Sequence, residues 1–428
     1  MLRGAFGLLA AGVLLLSLAT AHAQEWTRFR GPNGTGISDA RNIPTTWTAD
    51  DYNWKVELPA AGHSSPVLWA DRIFLTGADD KTATRSVFCL RANDGKLLWS
   101  KEFKSQHHRR HQLNSFASAT PALDAERVYV AWSTPDEYTL LALSHEGDTV
   151  WQRDLGPFVS QHSCGISPIV VDDLVILGND QDKEDEKDTS LHGKSYLIAV
   201  DARTGETQWK LDRDSAVVAY STPCLHRTRD GGSELIFNSQ AHGITAVDPR
   251  SGSVNWEVRD LFDKRSCSSP VVADGNLIIG TCGSGGGGNY VVAVKPGTAG
   301  EANSGSLAYK IDKQAPYVPT PIAKGDLLFL WSDNGIVSAV RAKTGEPLWQ
   351  KRVGGTYYGS PVCVDDHLYC INTAGEVVVL RAGEEFEELG RNPLGEMSHS
   401  TPAVADGRMY LRTYKHLVSL GRKTPTKR

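Results

Sequence analysis

One pattern constrains this chain more than any other. A Ser/Thr-Pro step, a short apolar strand, a polar turn and a second strand recur eight times, with prolines at Pro66, Pro121, Pro168, Pro223, Pro270, Pro321, Pro361 and Pro402. The period of about 40 to 55 residues lies in or just above the range of propeller blades. Proline suits the first residue of a strand, where its missing N–H breaks no ladder. The second half of each unit is a hairpin: AVDARTGETQW ends at Trp209, AVDPRSGSVNW at Trp256 and AVRAKTGEPLW at Trp349. Gly95 with Trp99 and Gly147 with Trp151 keep the spacing, Gly305 leads to Tyr309, and the seventh unit has no Trp after Gly383. The glycine takes the positive φ of the turn, and the Trp brings a large apolar area to an outer strand.

Repeated four-stranded units hide their sheet edges when arranged radially. The last unit stops before its Trp hairpin is finished, whereas the chain opens with an orphan strand around Trp54, Lys55, Val56, Glu57 and Leu58. The expectation is an all-β, eight-bladed β-propeller of four-stranded antiparallel blades, closed by pairing that N-terminal strand with the C-terminal blade. Residues 54–428 form the single propeller, 24–53 an N-terminal extension and 1–23 a signal peptide. The last reading rests on Arg3, the apolar run from Ala5 to Leu18 and the small residues around Ala23. No Cys stands where a lipoprotein would be cut, no second run spans a bilayer, and the chain is read as periplasmic or secreted and monomeric.

The charge is near balance, with 45 Lys and Arg against 50 Asp and Glu, which disfavours nucleic acid as a partner. Seven cysteines in an exported chain leave at least one thiol over. Cys267 and Cys282 lie symmetrically about Asp274-Gly275, a hairpin signal, so they are a candidate disulfide. Cys363 and Cys370 flank a similar turn and read as small buried residues.

The Ser/Thr-Pro openings and A-x-D-x-x-T-G-x-x-x-W hairpins resemble the tryptophan-docking repeats of pyrroloquinoline-quinone (PQQ) propellers over nearly the whole mature chain. Families with eight such blades include quinoprotein alcohol dehydrogenases and BamB-like assembly factors. The stretches 26–38, 114–121 and 157–168 resemble an exported PQQ-like family of environmental bacteria. The resemblance implies either a binding or scaffold module of the envelope or, alternatively, a PQQ- and calcium-dependent oxidoreductase of alcohols or sugars. The second requires residues that are not evident, because alcohol-oxidising members often carry a vicinal Cys pair and this chain has none. A polysaccharide hydrolase or lyase ranks last, since the rim offers no acidic pair.

In a propeller, loops leading into the innermost strands form one rim. Three positions ahead of the prolines stand His63, Ser118, Gly165, Tyr220, Cys267, Val318, Tyr358 and His399, with Asn114, His162, Arg265, Tyr317 and Tyr357 slightly farther out. The candidate ligand-binding set is His63, Asn114, His162, Tyr220, Arg265, Tyr317, Tyr358 and His399, suited to a polar planar or sugar-like ligand from an envelope glycan, small molecule or protein. The competing reading is that these groups only satisfy loop backbone and channel waters. No metal motif appears and no catalytic residue is assigned. Asp201 and Asp248 read as turn formers, 179–187 as a solvated insertion, 107–111 as a basic surface loop and 283–288 as a flexible hairpin tip.

Overall fold

The computed structural model describes residues 25–423 apart from 184–192, 216 and 302–303. The segment expected to be a signal peptide, residues 1–23, therefore lies outside the described residues, as do the expected first mature residue Gln24 and the later part of the 179–187 insertion. Eight antiparallel sheets stand around one axis. Blade one runs Val67–Trp69, Arg72–Ala78, Arg85–Arg91 and Leu97–Phe103, from the axis outward. Blades two to seven repeat that order over 122–154, 169–213, 224–258, 271–311, 322–352 and 362–393. In blade eight, Ala403–Ala405, Arg408–Arg412 and His416–Gly421 are completed by Trp54–Glu57, with Val56 opposite Leu417 and Trp54 opposite Ser419. The ring closes head to tail with eight blades, as the repeats require. Among the described residues, no helix is long and apolar enough to cross a membrane.

The Trp hairpins explain how the blades lock together. In each of the seven complete blades the outer ladder slips register at the turn, and in most blades an aromatic side chain beyond it reaches the next blade. Trp54 Nε1 donates to the Ala92 carbonyl, Trp99 to His145, Trp151 to Ala202, Trp209 to Pro249 and Trp349 to Gly383, at 2.8 to 3.1 Å. Tyr309 takes the same place with its hydroxyl, 2.6 Å from the Ala342 carbonyl. Trp256 departs from the rule, donating within its own blade to Glu234 at 3.0 Å. The missing Trp of blade seven is offset by the N-terminal extension, since Trp47 is buried there and its backbone N–H donates to Asn392 Oδ1 at 2.8 Å. Asp201 and Asp248 each accept two N–H groups of their own turns, which is a structural role.

Cys267 and Cys282 are free thiols, against the expected disulfide. Val271 pairs with Ile279 and Ala273 with Leu277, so the turn holds three residues, not two. That shift of one position sends the two side chains to opposite faces of the ladder. Cys282 instead accepts the Lys264 N–H at 3.2 Å. The remaining five cysteines are free and buried, Cys363 and Cys370 among them, as read from the sequence.

A buried polar cluster on blade four gives a pH prediction. Glu257 accepts from Thr245 at 2.9 Å and from Arg259, and lies 2.8 Å from His242 Nδ1. Burial alone would raise its pKa, but His242, Arg259 and Thr245 outweigh it and bring the carboxyl to about 2, from 4.5. A depressed carboxyl contributes stability that is complete above its unfolded pKa and is lost as pH falls through the folded one. Glu257→Gln is therefore expected to flatten the fall of melting temperature between pH 4.5 and about 2. An identical acid profile in the variant refutes this.

Candidate functional site

Every Ser or Thr directly before a blade proline faces the axis, and together they form a ring. Seven of the eight backbone N–H groups donate to the hydroxyl of the next residue around it: Ser65 to Thr120, Thr120 to Ser167, Thr222 to Ser269, Ser269 to Thr320, Thr320 to Ser360, Ser360 to Thr401, and Thr401 back to Ser65, at 2.9 to 3.2 Å. The residue before a proline is held extended, so its N–H points sideways to the neighbouring blade. The Ser/Thr-Pro motif is thus both a strand start and an interblade clasp. The sequence reading missed this, although the hydroxyl recurs at all eight positions.

On one side of this ring the channel is sealed. The N-terminal segment crosses the axis and bonds to five blades. Trp26 exchanges two backbone bonds with Leu68 of blade one, the Thr27 carbonyl accepts from Leu123 of blade two, and the Asn33 amide pairs both ways with Leu225 of blade four at 2.7 Å. Arg30 donates to the Pro321 carbonyl of blade six at 2.8 Å. Ile37–Ser38 adds a parallel fifth strand to blade seven against Cys363 and Val364. Local chemistry permits the winding: Gly31, Gly34 and Gly36 all have positive φ, and a Cβ on Gly31 would stand 2.4 Å from the Trp26 ring.

What remains is a blind well of about 790 Å³, floored by Phe29, walled by the hydroxyl ring and open at the loops before the blades. All eight candidate ligand-binding residues line it: His63, Asn114, His162, Tyr220, Arg265, Tyr317, Tyr358 and His399. Tyr357 does not, being buried edge-on against Trp331 at 5.2 Å. Three segments read as bland are drawn into the site. His111 lines the well and meets His162 edge-on at 4.8 Å, while His108 turns away to Ser163. The glycines at 285, 287 and 288 form part of the mouth. Asn179, Asp180 and Gln181 are buried rather than solvated, the Gln181 amide bridging Pro157, Asn179 and Lys194, because this stretch supports the leading loop of blade three.

The wall chemistry divides around the mouth. Between blades four and six, Arg265 lies over Tyr220 at 5.8 Å and donates to the Val218 carbonyl at 3.1 Å. Asp333 accepts the N–H groups of Tyr317 and Val318 at 2.7 and 3.1 Å, yet burial still raises its pKa. Burial pushes the Cys267 thiol up to about 12, which disfavours its thiolate at neutral pH. Between blades seven and one, His63 and His399 stack with centroids 4.4 Å apart, and Tyr358 meets His399 edge-on. Burial lowers the pKa of both imidazoles, and for His63 the positive groups His399, Arg412 and Arg110 lower it further. Burial, then Arg265 and His111, also lower that of His162. The well thus presents neutral imidazoles, phenols, amides and hydroxyls, a set that can hold a polar ligand by hydrogen bonds and ring faces.

The family profile described as outer membrane protein assembly factor BamB matches residues 45–186, 184–351 and 333–422. BamB of Moranella endobia (strain PCIT) is 26% identical over 207 residues, 42% of this chain and 49% of that protein. BamB of Yersinia pestis is 25% identical over 240 residues, 51% of this chain and 56% of that one. The matched stretches thus span about half the length of these relatives. Quinohemoprotein alcohol dehydrogenase ADH IIB of Pseudomonas putida is 26% identical over 173 residues, 39% of this chain and 23% of that protein. Two solved structures share the fold. Quinohemoprotein alcohol dehydrogenase from Comamonas testosteroni has a TM-score of 0.66 at 14% identity, over 95% of this chain and 82% of that one. BamB from Moraxella catarrhalis has 0.55 at 16%, over 88% and 98%. With eight blades closed head to tail and that profile matching nearly the whole propeller, the chain belongs to the PQQ-like repeat family described as outer membrane protein assembly factor BamB.

Proposed function

We propose that the protein is an exported binding and scaffold propeller of the cell envelope, which takes a polar ligand or a segment of a partner protein into its well. The observation that carries this is the closure of the channel by residues 26–38, which turns a pore into a pocket with one polar, aromatic-lined mouth. Such a pocket binds and releases from one side. The similarity to proteins named as outer membrane assembly factors supports an envelope setting and a scaffolding role.

The second reading, a PQQ-dependent oxidoreductase, is favoured by similarity to quinohemoprotein alcohol dehydrogenases. A calcium-bound quinone needs hard, negatively charged oxygen ligands at its side. Of the two carboxylates in the lining, Asp333 accepts with both oxygens from the Tyr317 and Val318 N–H groups of the loop leading into blade six, and Asp312 stands exposed. Cys267 has no vicinal partner. These residues do not fit that cofactor.

Purified protein is expected to bind a member of a panel of envelope oligosaccharides and extended peptides saturably. Tyr358→Ala and His162→Ala should weaken that binding about tenfold, roughly 1.4 kcal/mol, with nearly unchanged melting temperature. No saturable binding to any panel member sinks this reading. An absorbance change on titration with PQQ and calcium, together with dye reduction on an alcohol or sugar, supports the enzyme instead.

A further inference from the structure

One wall of the well carries uncompensated positive charge. Beside the stacked His63 and His399, outside the lining, Arg412 is wholly buried on the second strand of blade eight. Its Nη1 donates to the Ser64 carbonyl and hydroxyl and to the Thr76 carbonyl, at 2.9, 2.5 and 2.9 Å. Its Nε and Nη2 have no hydrogen-bond partner among the described residues. Arg110, from the loop ahead of blade two, adds a second guanidinium. The carboxylate of this cluster, Asp80, is shared between Arg110 at 2.7 Å and the Tyr414 hydroxyl, and the Tyr414 ring packs on His63 at 5.3 Å. Tyr358 closes the wall from blade seven. One carboxylate thus stands against two guanidiniums, beside an imidazole pair that burial keeps neutral, in a recess whose low-dielectric walls focus the field.

We propose that this wall is an anion subsite, where a sulfate or carboxylate group of the bound ligand sits against the His63–His399 pair and enters together with one proton taken up by that pair. The inference rests on the well being a binding site. His399 is the better proton acceptor, because its Nδ1 faces the Leu113 carbonyl at 3.3 Å and that oxygen accepts from the neutral and the charged ring alike. The Nδ1 of His63 is shielded and has no partner among the described residues, so charging that ring leaves a buried N–H unsatisfied. The stacked rings repel as two cations and titrate as a pair, with one proton between them. Their low proton affinity without ligand is what an arriving anion reverses.

Inorganic sulfate tests this on the full chain, since its charge is constant between about pH 5 and 8, with chloride holding the ionic strength. By titration calorimetry, affinity is expected to rise at least tenfold from pH 7.5 to 5.5. In His399→Gln it should be weaker and nearly independent of pH. His63→Gln, whose melting temperature reports folding, should keep part of the slope. A sulfated disaccharide should bind at least tenfold more tightly than the same disaccharide without sulfate, which separates a ligand-borne group from the free ion. Sulfate binding that is independent of pH, or equal in wild type and His399→Gln, overturns the subsite. Saturable binding of the neutral disaccharide without sulfate binding overturns the subsite alone and leaves the well a binding site. Absence of binding by every probe removes both.

Discussion

Trp209→Ala is expected to lower the unfolding free energy by about 3 to 5 kcal/mol, the range for a large aromatic removed from a packed site. The indole is 7% exposed, donates to the Pro249 carbonyl at 2.9 Å and lies flat on Gly252 of the next blade. A Cβ on Gly252, whose φ is 73°, would stand 2.6 Å from that ring. The loss therefore combines transfer, a cavity between blades and an unsatisfied carbonyl. Gly252→Ala provides the control. In wild type it meets both the ring and the left-handed backbone; in the Trp209→Ala background only the backbone cost of about 1 to 2 kcal/mol remains. Urea unfolding of the four proteins should show a coupling of at least about 1 kcal/mol. A single-variant loss under about 1 kcal/mol would mean that the tryptophan is ornamental to the blade junction.

The fold was legible because it is written eight times. Any one unit is an ambiguous pair of hairpins, but the repetition of Pro66 through Pro402 and the orphan strand at Trp54 leave one way to hide the edges, and Val56 does pair with Leu417. The rim was legible for the same reason: a fixed offset from a repeated proline is a fixed place in the ring, so His63 through His399 could be placed without coordinates. Features that break the repeat were not legible. The plug is held by side chains whose partners are carbonyls 192 to 291 positions away, Arg28 on Pro223, Asn33 on Leu225 and Arg30 on Pro321, and nothing local predicts such bonds. The Cys267–Cys282 pairing failed on one residue in a turn, where Asn276 adopts positive φ beside Gly275. Periodicity does not register a change of that size, and a side chain's facing depends on it entirely. Asp333 was passed over because its role is to brace the Tyr317 loop, which shows only in its two backbone bonds.

The second large effect is expected at Arg30, which holds the plug in place. Its guanidinium is fully buried and donates to the carbonyls of Gly34, Thr35 and Pro321 at 2.9, 3.2 and 2.8 Å. No carboxylate pairs with it among the described residues, and burial lowers its pKa to about 9. The bonds to carbonyls are what offset that desolvation. Arg30→Met removes the donors and leaves buried acceptors unmatched, each costing roughly 1 to 3 kcal/mol, so a loss of about 3 kcal/mol is expected even after the relief of desolvation. The loss should be local. Hydrogen exchange is expected to accelerate at the amides of Leu123 and Cys363, which donate to the Thr27 and Gly36 carbonyls, while the outer strands, held by their own ladders and by Trp209-type contacts, keep their protection. With Phe29 no longer fixed beneath the well, affinity for whatever probe the wild type binds should fall by at least tenfold. Unchanged exchange at Leu123 and Cys363 would show that the segment is held without Arg30, and the floor of the pocket would then owe its position to Trp26 and the Asn33 clasp on blade four.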